Sequence, residues 1–269
     1  MTDSQITDEP KWLTVKNKTY QIIFNKYKGL TIQQLVWKDL SDDPLLGTLD
    51  HGYYDDISLG SDYYSGHAII ERPGEHKVTD LGSVSPEIVR TYKKIAVKTE
   101  QKWNHCTFSS SIILQSERIV LNKTITLDTD EKAIIRPYNF TLNPQAWDRY
   151  SLYVGTHNGG TNLERFYLRE KKISHGDIYS SLISARHGFG NTEGLFVIGD
   201  KDKSISFECD MSVAALIPSI MFLDQDGDKY FFRLQYSASE IDETVKDCEF
   251  SPKIIKCNLE IKEGNLVSL

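Results

Sequence analysis

The feature that most constrains this chain is an alternation of apolar and polar residues with a period of two. In RIVLNKTITLD, the apolar side chains that fall on one face are Ile119, Leu121, Ile125 and Leu127. Such alternation is typical of a half-buried β-strand. AIIRPYNFTL continues it, and YQIIFNKYKGLTIQQLVW, LFVIGDKDKSISFECD and IMFLDQDGDKYFFRLQYS each contain two apolar arms joined by turn residues. These segments predict antiparallel hairpins and an all-β fold.

The spacing of these segments indicates how the strands are organised. No segment has a helical stripe over three turns, and no linker-like Pro/Gly/Ser stretch divides the 269 residues. We therefore predict one large antiparallel β-sandwich domain over residues 12–269. The polar, acidic start, MTDSQITDEPK, is predicted to be a flexible tail over residues 1–11.

Composition excludes several classes of function. The net charge is −7 and no dense Lys/Arg run is present, which argues against a nucleic-acid partner. No apolar run is long enough to predict a membrane span. The cysteines, at positions 106, 209, 248 and 257, show no Cys-x-x-Cys spacing, so we expect reduced thiols and a cytoplasmic protein. We expect no cofactor or metal, because phosphate loops and metal-ligand spacings are absent and DQDGD is a better hairpin turn than a calcium loop.

Three segments carry a resemblance to a known fold family. The opening strand pair YQIIFNKYKGLTIQQLVWKD looks like the entry to the galactose-mutarotase-like β-supersandwich. HGYYDDISLGSDYYSGHAIIERPGEHKVTDLG and SARHGFGNTEGLFVIGD are similar to stretches of the non-catalytic, C-terminal β domain of glycoside hydrolases of the family 57 and family 38 type. The resemblance spans the chain from about Trp12 onward. It implies a carbohydrate context without assigning a reaction.

The resemblance also offers a test for catalysis. Aldose epimerases of this fold use a His as acid and a Glu as base, with one His in the pattern Asn, His, any residue, aromatic, Phe, Asn. NHCTFS supplies Asn104, His105 and Phe108, but Thr107 replaces the aromatic residue and Ser109 the final Asn. An ordinary strand is the favoured interpretation of this segment, and the catalytic residues are left unassigned.

A candidate ligand site lies where predicted strands end in glycine-rich loops. SLYVGTHNGGTNLERF and SARHGFGNTEG each follow an apolar run with glycines and polar side chains. Loops held by a rigid β scaffold often carry binding sites. We predict a shallow sugar-binding rim whose polar side chains are His157, Asn158, Glu164, Arg186, His187 and Glu193, with Trp147 or Tyr150 as a stacking face. If the site is catalytic, His157 or His187 is the acid and Glu164 or Glu193 the base; if it only binds, the same residues orient the ligand. The alternative is that these segments are ordinary turns between strands.

A second polar cluster occurs between residues 51 and 67. HGYYDD and SDYYSGH concentrate tyrosines, aspartates and histidines, a composition that suits sugar binding but equally suits aromatic packing on the sandwich edge. Packing is the favoured interpretation. Asp55 and Asp56 would point to opposite faces of an extended chain, so they do not form a catalytic carboxylate pair.

Two functions from different classes follow, and a third stays open. The first is a non-catalytic, carbohydrate-associated β-sandwich module, free-standing or part of a glycoside-hydrolase-like protein, that binds a sugar or supports a catalytic domain of that type as its partner. The alternative is an aldose mutarotase or epimerase-like enzyme with His/Glu acid–base chemistry. A structural interaction domain without a ligand is the third. A deep pocket with a His facing a carboxylate would favour the enzyme.

Overall fold

Two large antiparallel sheets make up the fold. A computed structural model describes residues 4–54, 60–103, 105–129, 132–170, 188–224, 229–240 and 253–264. Within these ranges one sheet has ten strands and the other nine. Three short 3-10 helices, Lys26–Lys28, Gly60–Tyr63 and Pro144–Ala146, complete the regular structure of these residues. The fold is the all-β sandwich that the sequence predicts.

The ten-stranded sheet gathers strands from both halves of the chain. Its members are β1 (Gln5–Asp8), β2 (Trp12–Lys16), β3 (Tyr20–Asn25), β4 (Thr31–Trp37), β5 (Leu46–Gly47), β6 (His67–Glu71), β7 (Val78–Thr79), β12 (Ile134–Leu142), β17 (Ile217–Asp224) and β18 (Tyr230–Ser237). Its main path runs β1-β2-β3-β4-β5-β12-β18-β17, and β6 pairs with both β12 and β7. The β6–β12 pairing shifts register between Arg136 and Asn139.

The nine-stranded sheet forms the other layer. Its members are β8 (Glu87–Arg90), β9 (Ile95–Trp103), β10 (Cys106–Leu114), β11 (Arg118–Leu127), β13 (Tyr153–Thr156), β14 (Glu164–Tyr167), β15 (Leu195–Gly199), β16 (Ser204–Cys209) and β19 (Ile254–Glu263). The strand order is β14-β13-β15-β16-β19-β11-β10-β9-β8. Three predicted hairpins are confirmed as β3–β4, β15–β16 and β17–β18. The predicted pairing of RIVLNKTITLD with AIIRPYNFTL is wrong, because β11 and β12 lie in different sheets.

The N-terminus corrects one prediction. Residues 5–8, assigned from the sequence to a flexible tail, form β1 and pair with β2, so that Ile6 lies opposite Val15. Ile6 packs against the main core. A polar, acidic composition therefore does not prevent strand formation here, because the neighbouring strand supplies the backbone partners and the core takes the one apolar side chain.

The core lies between the sheets and contains one unexpected charge. The inward positions of β11 are buried, as the alternation predicts, and Lys123 occupies one of them. Its Nζ lies 2.5 Å from Asp80 Oδ2 and donates to the carbonyl of Gly66 at 3.2 Å. A buried ammonium requires such a partner. The chain approaches Asp80 closely at Gly29 (φ 65°), where a Cβ would lie 1.8 Å from the Asp80 carbonyl oxygen.

The three described cysteines are free thiols in the core. Cys106, Cys209 and Cys257 are buried, and burial raises the pKa of Cys209 and of Cys257 to about 12. Cys209 pairs with Leu259 across β16 and β19, so Cys257 is its diagonal neighbour. Diagonal Cα atoms are about 7–8 Å apart, beyond the usual disulfide range. Cys248 lies outside the described residues.

Candidate functional site

Buried polar side chains cross the outer face of the ten-stranded sheet. Phe140, Ile220 and Leu234 point into the core, so their neighbours along each strand point to the other face. The strand register aligns these neighbours in two rows that cross β12, β18 and β17. The first row is Asn139, Gln235 and Ser219, and the second is Thr141, Arg233 and Met221. All except Met221 are buried.

A cleft of about 270 Å³ opens at these rows. Its walls come from four strands and from the flanking segments that hold Asp62 and Lys77. The residues that line it are Asp62, Ile69, Glu71, Lys77, Arg136, Ser219, Ile220, Met221, Arg233 and Gln235. The cleft therefore joins ionic and amide groups to the apolar side chains of Ile69 and Met221 on a rigid sheet.

Arg233 is the central charged group of the cleft. Its Nη1 donates to Asp62 Oδ1, and its Nη2 donates to Gln235 Oε1 at 2.8 Å. Its Nε is buried and has no hydrogen-bond partner among the described residues. Burial lowers the pKa of Arg233 to about 10, so the guanidinium stays charged at neutral pH.

The segment that carries Asp62 is fixed to the sheet by hydrogen bonds between hydroxyl side chains and backbone groups. Ser65 Oγ donates to the carbonyl of Gly47 at 2.6 Å and accepts from the amide of Thr141 at 2.8 Å. Thr141 Oγ1 donates to the carbonyl of Asp62 at 2.7 Å. These bonds hold the Asp62 carboxylate beside Arg233 without a long flexible connection, which pre-organises this wall of the cleft.

A second group of charges forms the opposite wall. Arg136 Nη1 donates to Glu71 Oε1, and Lys77 Nζ lies 3.0 Å from the same oxygen. Arg136 Nη2 lies 4.0 Å from Glu240 Oε2, which is too far for a hydrogen bond. Its Nε is buried, with no partner in the described part of the chain. Two cations thus share the Glu71 carboxylate, and one side of the Arg136 guanidinium is not used.

His67 lies on the same sheet face but is sealed from solvent. It is 1% exposed and pairs with Asn139 across β6 and β12, and Tyr64 packs edge-on against its ring. Burial lowers the pKa of His67 to about 4, with Lys123 acting in the same direction and Asp80 opposing it. The imidazole is therefore neutral at physiological pH and is not among the groups that line the cleft.

The predicted rim segments do come together. His157, Asn158 and Glu164 belong to the β13–β14 hairpin, and the Glu193 amide donates to the His157 carbonyl at 3.3 Å. Asn158 Nδ2 donates to Glu164 Oε2 at 2.8 Å, and Asn158 Oδ1 accepts from the Thr192 amide at 3.1 Å. His157 Nε2 lies 2.9 Å from the Gly160 carbonyl oxygen. These polar groups link the hairpin to the 188–194 loop by bonding to each other.

The remaining predicted site residues lie elsewhere. Arg186 and His187 fall outside the described residues. Trp147 is buried in the main core, where its Nε1 donates to the Leu45 carbonyl at 3.0 Å, so the prediction of Trp147 as an open stacking face is wrong. Tyr150 is 72% exposed, but it precedes β13 whereas His157 follows it, at the opposite end of the strand.

The residues between positions 51 and 67 contribute both to aromatic packing and to the cleft. Tyr54 and Tyr63 pack with Leu223 and Phe231 in a small apolar cluster on the outer sheet face, as the packing interpretation predicts. Asp62 lies between them in sequence and reaches the cleft. Asp55 and Asp56 are outside the described residues. His105, the aligned epimerase position, lies in the exposed turn between β9 and β10.

Sequence reasoning missed the main residues of the cleft. Arg233 and Gln235 interrupt the apolar strand YFFRLQYS at alternate positions, and this was the available signal. Two polar residues on one face of an otherwise buried strand indicate a polar environment on that face. The partner strands, and hence Glu71 and Arg136, follow only from the sheet topology.

A larger depression, of about 590 Å³, lies on the outer face of the nine-stranded sheet. Small serine and threonine side chains line it, and its ion pair Lys98–Glu87 is at least half exposed on both sides. Exposed pairs contribute little binding energy because water screens them. The smaller cleft, with buried charges, is therefore the stronger candidate. Among the described residues, no group of His, Cys, Asp or Glu side chains is arranged to hold a metal ion.

Solved structures share this fold. A galactose mutarotase-like protein from Clostridium acetobutylicum aligns with a TM-score of 0.60 at 11% identity, over 99% of this chain and 100% of that chain. A putative aldose 1-epimerase from Escherichia coli K12 aligns with a TM-score of 0.53 at 12% identity, over 98% and 100%. The fold is thus the galactose-mutarotase-like sandwich that the sequence resemblance implies.

A third structure places the fold within a larger protein. The 4-alpha-glucanotransferase from Thermococcus litoralis aligns with a TM-score of 0.54 at 11% identity, over 97% of this chain but only 39% of that chain. No family model matches the chain, and no curated protein matches it either. None of the described helices is long and apolar enough to cross a membrane.

Proposed function

We propose that this chain is a non-catalytic carbohydrate-binding module, and that its ligand binds in the cleft on the outer face of the ten-stranded sheet. The observation that carries the proposal is the buried Arg233–Asp62 pair beside Gln235. A sugar hydroxyl both donates and accepts hydrogen bonds. A wall that presents a guanidinium, a carboxylate and an amide together can therefore donate hydrogen bonds to a hydroxyl and accept them from it.

The size and lining of the cleft fit a small saccharide unit. Ligand pockets usually measure about 300–1,000 Å³, and this cleft, at about 270 Å³, lies just below that range. Met221 and the largely buried Ile69 offer apolar surface for the C–H groups of one sugar ring. The described lining contains no aromatic residue, so recognition relies on the positions of the hydroxyl groups rather than on stacking.

The charged groups favour binding over catalysis. General acid–base chemistry needs a group that can gain or lose a proton near the reacting atom. The carboxylates of Asp62 and Glu71 are engaged by cations, and the imidazole of His67 is sealed. These observations favour a binding module over the mutarotase or epimerase-like alternative. The Thermococcus litoralis structure, of which a chain of this fold is one part, supports a glycoside-hydrolase-like catalytic domain as partner, and we propose a cytoplasmic location.

A thermal-shift screen of the purified chain against mono- and oligosaccharides tests the proposal. We expect at least one sugar to raise the melting temperature in a concentration-dependent way, since a ligand that binds only the folded state stabilises it. Gln235→Ala should remove the effect, whereas the rim variant Glu164→Ala should keep it. If no sugar stabilises the protein, the proposal is wrong. Accelerated mutarotation measured by polarimetry would favour the enzyme.

A further inference from the structure

We infer that the cleft selects an acidic saccharide, a hexuronate ring whose carboxylate pairs with Arg136. The inference rests on the proposed function and deepens it by naming the ligand class. It is based on the charge of the cleft wall and on the side of the Arg136 guanidinium that has no hydrogen-bond partner among the described residues.

The wall of the cleft carries more positive than negative groups. Its cations are Arg136, Arg233 and Lys77, and its anions are Asp62 and Glu71. Asp62 pairs with Arg233, which leaves Glu71 to serve both Arg136 and Lys77. Water compensates much of the charge of Lys77, whose side chain is 42% exposed, whereas Arg136 is 16% exposed and shares its carboxylate. A ligand carboxylate would supply the missing negative charge.

Arg136 can receive that carboxylate at Nη2, with Nε as a second donor once the side chains that cover it move aside. Glu71 occupies Nη1, so Nε and Nη2 remain on the other side of the guanidinium. Nε is buried without a partner among the described residues, and Nη2 has only the distant Glu240. A guanidinium binds a carboxylate most strongly through two parallel N–H donors. A lysine at this position could not offer such a fork.

Glu240 competes with the ligand without blocking it. Its Oε1 accepts a hydrogen bond from Ser237 Oγ, which holds its Oε2 4.0 Å from Arg136 Nη2. The Glu240 side chain is 49% exposed, so solvent screens this contact. A ligand carboxylate in the cleft can approach Arg136 more closely than Glu240 does. Removing the charge of Glu240 should therefore strengthen uronate binding.

The attraction must be local, because the whole chain carries a net charge of −7. At long range an anion is repelled, and this repulsion falls within about 8–10 Å at physiological salt. The preference for an anion therefore depends on the contact with Arg136 rather than on the field of the whole protein. A substitution of Arg136 should remove it, and a distant arginine should not matter.

Calorimetric titration of the full chain with matched sugars tests the inference. Galacturonate and galactose, and glucuronate and glucose, differ only by a carboxylate in place of a hydroxymethyl group. We expect each uronate to bind about tenfold more tightly than its neutral partner, because charge-assisted hydrogen bonds are about twice as strong as neutral ones. Arg136→Gln should abolish the preference and Glu240→Gln should increase it. The control Arg118→Gln removes a half-exposed arginine on β11 and should leave it unchanged.

The outcomes separate the inference from the proposed function. Equal affinities for both members of a pair, or a preference that survives Arg136→Gln, would overturn the inference while leaving carbohydrate binding intact. If no sugar binds at all, both fail. Should Arg136→Gln not fold, raising the salt concentration on the unaltered protein serves instead. Uronate binding should then weaken and neutral binding should not; an equal response of both ligands would overturn the inference.

Discussion

The rim around Asn158 and the cleft around Arg233 are both rich in polar side chains, but their polar groups have different partners. At the rim, Asn158 uses its carbonyl and its amide to join two loops, and Glu164 accepts one of these bonds. In the cleft, buried guanidinium nitrogens of Arg136 and Arg233 have no partner among the described residues, whereas the comparable group of the rim loop, the side-chain amide of Asn191, is uncharged. The comparison teaches that polar composition marks a turn as readily as a site. Incompletely partnered, buried charge is the better indicator of a ligand.

The largest expected difference between the two regions is in folding stability. Arg233→Met leaves the Asp62 carboxylate buried without its cation, which should lower the free energy of unfolding by about 3–5 kcal/mol. Glu164→Gln at the exposed rim should change it by less than about 0.5 kcal/mol. Urea denaturation of both variants gives the two values. Adding Asp62→Asn to Arg233→Met should recover part of the loss. Similar losses of stability in the cleft and rim variants would contradict the difference between the two regions.

Ligand-dependent stability gives the next largest effect. At a hundredfold excess over Kd, a sugar bound to the folded state should add about 2.7 kcal/mol of stability. The rim hypothesis predicts that His157→Ala with Glu164→Ala abolishes this gain, whereas the cleft proposal predicts that Gln235→Ala does. Parallel melting curves with the sugar identified in the screen decide between them. Loss of the gain only in the rim variant would move the site to the rim.

The pH dependence of folding stability tests whether His67, on the same sheet face as the cleft, is buried in its neutral form. Burial lowers the pKa of His67 to about 4 from an unfolded value of 6.5, so between these pH values the unfolded chain binds one proton more. Stability should therefore fall as the pH drops through this window, by up to about 1.4 kcal/mol per pH unit from this group. Denaturation of wild type and His67→Gln between pH 7 and 4 measures it. Parallel pH profiles would show that His67 is not buried in its neutral form.

The smallest effect concerns the rim itself. Asn158→Ala removes the bonds to Glu164 and to the Thr192 amide, which should cost about 1 kcal/mol and speed hydrogen exchange at the Thr192 amide. Asn158→Asp should cost at least as much, because it places a like charge beside Glu164. Hydrogen exchange followed by NMR tests both variants. Unchanged protection at Thr192 would mean that Asn158 does not join the two loops.

The sequence by itself determined the fold class and the longer strands, but not β1, whose residues it assigned to a tail. The alternation in β11 and β12 requires one buried and one less buried face, and the turn residues between apolar arms set the hairpins of β3–β4 and β15–β16. The approach of the 151–166 and 188–194 segments was also predictable, and it is observed. These features depend on contacts between neighbouring parts of the chain or on a local period, so a single sequence contains the information.

Only the tertiary structure decided where the charges meet. Lys123 occupies a position of β11 where the alternation predicts an apolar residue. The structure explains it, because Asp80, 43 positions earlier, lies beside it in the core. Arg233 acquires its role from Asp62, which is 171 positions away, and Arg136 from Glu71 on the neighbouring strand. Pairing between distant strands sets these contacts, and no local pattern encodes that pairing. The polar residues of the rim lie close together in the sequence and could be recognised there. The residues of the buried cleft are scattered from Asp62 to Gln235, so the sequence did not reveal it.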